Sequence, residues 1–451
     1  MTAAALPQPY VAPGRTRAGA LDLAQYGLFL STFLFVFGWK ITPVADLILL
    51  SSAALAWVAF LVLGEPLRRP MLAVLVPLAL LSIYALALYL VVPRADMQMA
   101  QRSIRAAVNF LGGAALCALY VRAYPGRWVQ VMIAHLFWGI VAHAGIIILM
   151  YLNPGVRSTV YAIAQTTRYV NDNSPIALGY RIPGLTYGLS QTSVVQMFAL
   201  LLLPGVLRSS SQGVVRRAAI FVGVTAVLFS MFVTGRSGLL LAGVMTPLVW
   251  VMSRNRNAPK QPKNAWRVIR GVAAGIIALA VVVGGAVVAL QSLPEYFFSY
   301  SLMRAGEIWL ALTASQESAT VDALSRMYFL PSNPFVLLFG SSNFGRGEFG
   351  MIPSDVGFVR IVFAAGLVGS VLILLPFIAG ARAAIRARLS EPHLAWCTLF
   401  ALGASVMLHA KEVALLTRNQ WSVQAMLICA CVAVAASAKQ GVGDAPLEAR
   451  S

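Results

Sequence analysis

The side chains best suited to chemistry in this chain are cations and carboxylates set at the ends of apolar runs. Arg181 stands just before a Pro–Gly turn in YRIPGLTYGLSQTS, followed by Thr186, Tyr187, Ser190 and Gln191. A guanidinium held by a turn presents a planar fork of donors that matches phosphate oxygens. Arg236 lies between two glycines in VTGRSGLLLAG, at the tip of a hairpin joining two apolar runs. Glycines allow the tight turn and the close approach of another group. A cation so near the hydrocarbon boundary is costly unless it is paired or lines a wet cavity. The plainer reading of both is an interfacial arginine at the headgroups, and at this level both readings stand.

Carboxylates supply the other half. Asp355 precedes the apolar run that begins in PSDVGFVRIVFAAGLVG. A carboxylate at the mouth of a span, near arginines and poorly hydrated, can accept a proton from a sugar hydroxyl. Ser354 or Asp355 is equally expected to cap the following helix, and the two roles are compatible. SLMRAGEIWLAL puts Arg304 and Glu307 three residues apart, either as part of a site or as an ion pair on an interfacial helix. LHAKEVALLTRNQW places Lys411, Glu412 and Arg418 between two apolar runs, where they are expected to line a polar cavity. SNPFVLLFGSSNFGRGEFG carries four glycines without the strand–helix context of a nucleotide-binding loop, so a structured turn beside a cavity is expected. His135 and His143 lack acidic neighbours and are read as packed, hydrogen-bonded residues. No metal constellation or cofactor motif is found.

The elements that must position these groups follow from composition. Hydrophobic residues make up 59% of the 451, charged residues 11%, and mean hydropathy is +0.79. That excludes a soluble globular chain, and solid apolar runs of about twenty residues favour an α-helical membrane bundle over a barrel. Twelve spans are expected, near 21–39, 44–63, 71–92, 106–121, 128–151, 192–207, 218–234, 238–253, 271–290, 357–378, 394–410 and 421–438. Residues 1–20 and 439–451 read as cytoplasmic tails, the first of them disordered, around a membrane domain over 21–438. Two long outer loops fall near 152–191 and 291–356. The second holds Glu295, Glu307, Glu317, Asp322, Glu348 and Asp355, six of the fifteen acids. Cys117, Cys397, Cys429 and Cys431 all lie in apolar runs and read as small packing residues.

Charge orients the bundle. With both termini inside, 20 of the 34 Lys and Arg fall in cytoplasmic segments, including the dense RNRNAPKQPKNAWRVIR and ARAAIRAR connections. The other 14 gather at outer ends, Arg181, Arg236, Arg304, Arg346, Arg360, Lys411 and Arg418 among them. Cations placed against the inside rule point to an anionic substrate handled on the outer face.

The order of RIPGL, TGRSGLLLAG, RAGEIWLAL…NPFVLLFGSSNFG and SDVGFVRIVFAAGLVG resembles the O-antigen ligase/polymerase superfamily, over about residues 170–420. The resemblance is to its Wzy-type O-antigen and exopolysaccharide polymerases. It implies a GT-C-like membrane glycosyltransferase that needs no divalent metal and acts on the periplasmic face of the bacterial inner membrane. Donor and acceptor would both be undecaprenyl-diphosphate-linked oligosaccharides, and a copolymerase would set chain length. Carried over by position, Arg181, Arg236 and Arg304 look like the cations that hold the diphosphate; Glu307, Tyr187, Lys411 and Arg418 are the further substrate-binding candidates that their own sequence settings offer. The ligase branch carries a His ahead of a glycine pair that fits Gly366 and Gly369, and here Asp355 stands at the His position. That departure favours a polymerase over a ligase to lipid A core, and it makes Asp355 the candidate to orient or deprotonate the acceptor, with Glu307, Glu317, Asp322 and Glu348 as the alternative bases. A lipid-linked oligosaccharide flippase is the transporter alternative; it would be expected to show deeper charges and an internal repeat.

Overall fold

A computed structural model of the protein describes residues 18–41, 46–65, 67–164, 181–186, 188–208, 213–253, 325–344, 346–347 and 350–443. Thirteen helices are found among them: α1 Ala18–Phe37, α2 Leu47–Ala56 with a π-helical continuation Trp57–Val62, α3 Arg69–Val91, α4 Gln98–Ala123, α5 Trp128–Leu152, α6 Pro154–Ala164, α7 Leu189–Arg208, α8 Val214–Thr234, α9 Arg236–Met252, α10 Pro334–Phe339, α11 Gly357–Ala387, α12 Pro392–His409 and α13 Arg418–Gly443. The β structure described is an antiparallel pairing of Arg346–Gly347 with Gly350–Met351 and one isolated bridge between Lys40 and Asp46.

Seven helices (α3, α4, α5, α7, α8, α11 and α13) are long and apolar enough to cross a membrane. Shorter apolar helices cover Gln25–Phe37, Leu47–Val62 and Ser237–Met252, and α12 is apolar through its middle but begins and ends on polar residues. The chain is thus a multi-pass membrane protein. The expected run at 271–290 lies outside the described residues. Leu61, Leu90, Val91 and Val251 are exposed on the outside of the bundle. Such residues would be a liability in water and are the normal lining toward lipid.

In lipid the helices need packing and interhelical hydrogen bonds to associate, since tails are as apolar as leucine. Both devices converge on α13, which is buried from Asn419 through Val434. Trp421 Nε1 donates to Ala106 O (2.8 Å), Asn419 Nδ2 to Val36 O (2.6 Å) and Gln424 Nε2 to Ala401 O (2.8 Å). These bonds tie α13 to α4, α1 and α12. On α4, Gly112 and Gly113 let the backbone approach Ser52 and Ala425 so closely that a Cβ at Gly112 would overlap Ser52. The four cysteines are free and buried in this packing, as expected.

One span is broken on purpose. Gly366, inside α11, has φ +64° and ψ −173°, which ends helical bonding ten residues from the start of the helix. The freed carbonyls find partners: Ser341 N–H donates to Phe363 O (2.8 Å), Ser342 N–H to Ala364 O (2.8 Å) and the Tyr84 hydroxyl to Ala365 O (3.1 Å). The short helix α10, capped by Asn333 and ended by Gly340 at φ +85°, packs into this break. The 333–344 part of the glycine-rich segment is therefore a structured turn seated against a span, which satisfies the backbone that lipid cannot.

Candidate functional site

Ends of separate helices assemble the site. α8 finishes at Thr234 and α9 starts at Arg236, and Thr234 Oγ1 donates to Ile182 O (2.9 Å), fixing the 181–186 turn on this hairpin. Gly238 sits where a Cβ would strike Ser193 O, and its N–H donates to Ser193 Oγ (3.0 Å), which seats α9 tightly on α7.

The RIPGL turn is held from beneath by a histidine. Gly184 has φ +66°, and a Cβ there would stand 2.5 Å from His143 Nε2, so both conformation and space demand glycine. Leu185 N–H donates to His143 Nε2 (3.1 Å), which places the imidazole proton on Nδ1. The Gln196 amide, 2.7 Å from Nδ1, must then face it with its carbonyl oxygen. His143 is stacked on Phe37 and serves packing, as its sequence setting indicates.

A second wall comes from the connection between α12 and α13. His409 Nδ1 accepts from Ala414 N–H (3.0 Å), and Gln191 Nε2 donates to Val413 O (2.8 Å), so the 410–417 segment is bound to the start of α7. A Cβ at Gly357, the first residue of α11, would collide with His409 Nδ1 and Glu412 O. Tyr328 hydrogen-bonds Ala410 O from the other side.

Glu412 is the centre of the resulting cluster. Burial pushes its carboxyl above the ordinary carboxylate range, and Asp355 adds to the shift; the Ser190 hydroxyl, Lys411 and Arg181 oppose it. One of its oxygens, Oε1, is buried with no hydrogen-bond partner among the described residues. The Lys411 ammonium donates to Ser237 Oγ (3.2 Å), in the first turn of α9 beside Arg236. Asp355 is an exposed carboxylate, ion-paired with Arg360 Nη2 at 3.1 Å. It does not cap α11: the cap residue is Val356, whose N–H instead meets Ser354 Oγ at 3.2 Å. The capping reading of Asp355 is corrected accordingly, because the carboxylate reaches Arg360 five residues on.

Arg181, Lys411 and Asp355 thus all act on the Glu412 carboxyl, and Lys411 is bonded to Ser237 at the N-terminus of α9. For Arg236 the backbone position at the start of α9 is described; Tyr187, Arg304 and Glu307 lie outside the described residues. Arg418 belongs to a neighbouring cluster. Its Nη1 lies 3.6 Å, and Arg105 Nε 3.4 Å, from Oδ2 of the wholly buried Asp46, whose Oδ1 accepts from Leu49 N–H (2.7 Å) at the start of α2. Burial lowers the nearby Lys40 amine, with Arg418 and Arg105 acting in the same direction. Arg102 lies over the Phe344 ring at 4.4 Å.

Arg360 gains a place here that its sequence setting gave only as general outer polarity, and Glu412, expected only to line a polar cavity, gains specific neighbours. Glu412 had one signal, a charged pair at the edge of an apolar run; Asp46, an isolated acid, had none. No group of three His, Cys, Asp or Glu within reach of a common metal occurs among the described residues. Comparison with models of known protein families, and with curated proteins, finds no match.

Proposed function

We propose that this chain is a polysaccharide polymerase that joins undecaprenyl-diphosphate-linked oligosaccharide repeats at the periplasmic face of the inner membrane. The reading includes a twelve-span, GT-C-like bundle whose additional span is the apolar run at 271–290. Its partners are the donor and acceptor lipids, the bilayer and a chain-length-regulating copolymerase. The observation that carries it is the hydrogen bond of Lys411, next to the half-buried Glu412, to Ser237 in the first turn of α9 (3.2 Å), with Arg181 and Asp355 near enough to act on the Glu412 carboxyl.

In the proposed step the acceptor hydroxyl bonds to the anomeric carbon of the donor as its proton passes to a carboxylate. The bond from that carbon to the diphosphate oxygen breaks, and its electron pair leaves with undecaprenyl diphosphate. Arg181, Lys411 and Arg236 oppose the charge that develops on the diphosphate, and the helix N-terminus adds its partial positive charge. Between the two carboxylates, Glu412 is the better proton acceptor. Burial raises its affinity for a proton, and Oε1 has no competing partner among the described residues. Asp355, held by Arg360, then orients the acceptor.

Purified protein supplied with lipid-linked repeats should produce a ladder of polymer together with free undecaprenyl diphosphate. Arg181→Ala and Arg236→Ala should each lower the yield by about 100-fold, the cost typical of losing one charge-stabilising donor, while membrane insertion is retained. Normal polymer yield and length from both variants would defeat the assignment.

A further inference from the structure

The opposite end of the bundle holds a cavity that polymer formation does not use. α7 runs from Ser190 at the cluster to Arg208, and α12 runs from Pro392 to His409, so about 30 Å of helix separates the two ends. At the far end a cavity of 710 Å³ opens between the α4–α5 turn, the end of α7 and the starts of α8 and α12. Its size is that of a small-molecule pocket.

The chemistry of the lining has two parts. Arg127, Arg208 and Arg216 stand against a single acid, Glu391, at its rim. Burial raises the Glu391 carboxyl above its ordinary range, a shift that favours the neutral acid. Arg208 Nη2 donates to Ser253 O (2.9 Å), so it is held in place with further donors to offer. Deeper in, Tyr124 is only 6% exposed, and its hydroxyl has no hydrogen-bond partner among the described residues. Gln130 Oε1 is in the same condition. Both residues line the cavity, although these two atoms are themselves buried within its wall. Arg127 is positioned over the Tyr124 ring, with its Cζ 5.7 Å from the centroid.

We infer that this cavity binds a phosphate-bearing anion, with Arg127, Arg208 and Arg216 around the phosphate. A phosphate diester or monoester has the acceptor oxygens that three guanidinium groups require. The group can arrive on the headgroup of an anionic lipid or free in solution. The proposal does not depend on the polymerase reading, and its readout is binding, not polymer.

Native mass spectrometry of the full chain tests it, using mixed micelles of phosphatidylglycerol and phosphatidylcholine with eight-carbon chains. Calorimetry with inorganic phosphate forms a separate arm. Retention of phosphatidylglycerol about tenfold above phosphatidylcholine identifies the lipid source, and saturable heat with inorganic phosphate identifies the free one. In either case Arg127→Gln/Arg216→Gln should abolish the effect. Both positions are exposed at helix ends, so folding should survive the change. Equal retention of both lipids with no phosphate binding would overturn the inference, as would undiminished binding by the double variant.

Discussion

A carboxylate acts as a base only when it is ionised, and Glu412 is placed where ionisation is difficult. Its burial favours the neutral acid, while Lys411, Arg181 and the Ser190 hydroxyl pull the other way. The net direction is upward, so the fraction ready to accept a proton rises with pH through a range above that of an ordinary carboxylate. Polymer formation should therefore show an acid limb displaced upward, falling as pH drops through the Glu412 titration. Glu412→Gln should lose about 100-fold in rate across the whole range and abolish that limb. Unchanged rate and profile in this variant would return the base role to Asp355. Sequence made the arginines visible because charge at the edge of an apolar run is conspicuous. It could not rank Glu412 above Asp355, since burial and the approach of Ser190, 222 positions earlier, exist only in the fold.

Helices carry the same lesson at the next scale. Runs of apolar residues marked all twelve expected spans; eleven coincide with helices, seven of them long and apolar enough to cross a membrane, and the run at 271–290 lies outside the described residues. What periodicity could not show is the interruption at Gly366, because a lone glycine in an apolar run also suits an unbroken transmembrane helix. The decisive partner is α10, whose Leu338 O would overlap a Cβ at that position. Gly366→Ala should destabilise the protein by ~1–3 kcal/mol from the positive-φ, extended-ψ conformation alone, with the clash in addition. Thermal unfolding in detergent should register this as a lowered midpoint. Gly403→Ala, at a helical position where a Cβ meets open space, should be neutral or slightly stabilising. Equal midpoints for the two variants would show that the break is not needed. The α6 helix, Pro154–Ala164, is a further addition within what reads as an outer loop, and its mixed composition explains why no apolar run announced it.

At the scale of the whole molecule the two ends of the bundle are chemically different, and the helices connect them in alternation. α4 begins among Arg102 and Arg105 and ends beside Tyr124; α11 begins after Asp355 and ends near Arg386 and Arg388. The end bearing Glu412 mixes cations with buried acids, whereas the other end carries exposed arginines of the kind that hold a cytoplasmic face. Native cysteines provide a silent background for a test, because all four are buried. Single replacements Asp355→Cys and Leu389→Cys stand at exposed positions on the two ends. In intact spheroplasts a membrane-impermeant maleimide should label Asp355→Cys promptly and leave Leu389→Cys untouched until the membrane is broken. The reverse pattern would invert the orientation and remove the periplasmic polymerase reading, since lipid-linked repeats would then meet the wrong face. Labelling of both from outside would contradict the two-ended architecture itself, because a single crossing by α11, kinked at Gly366, must carry residues 355 and 389 to opposite sides.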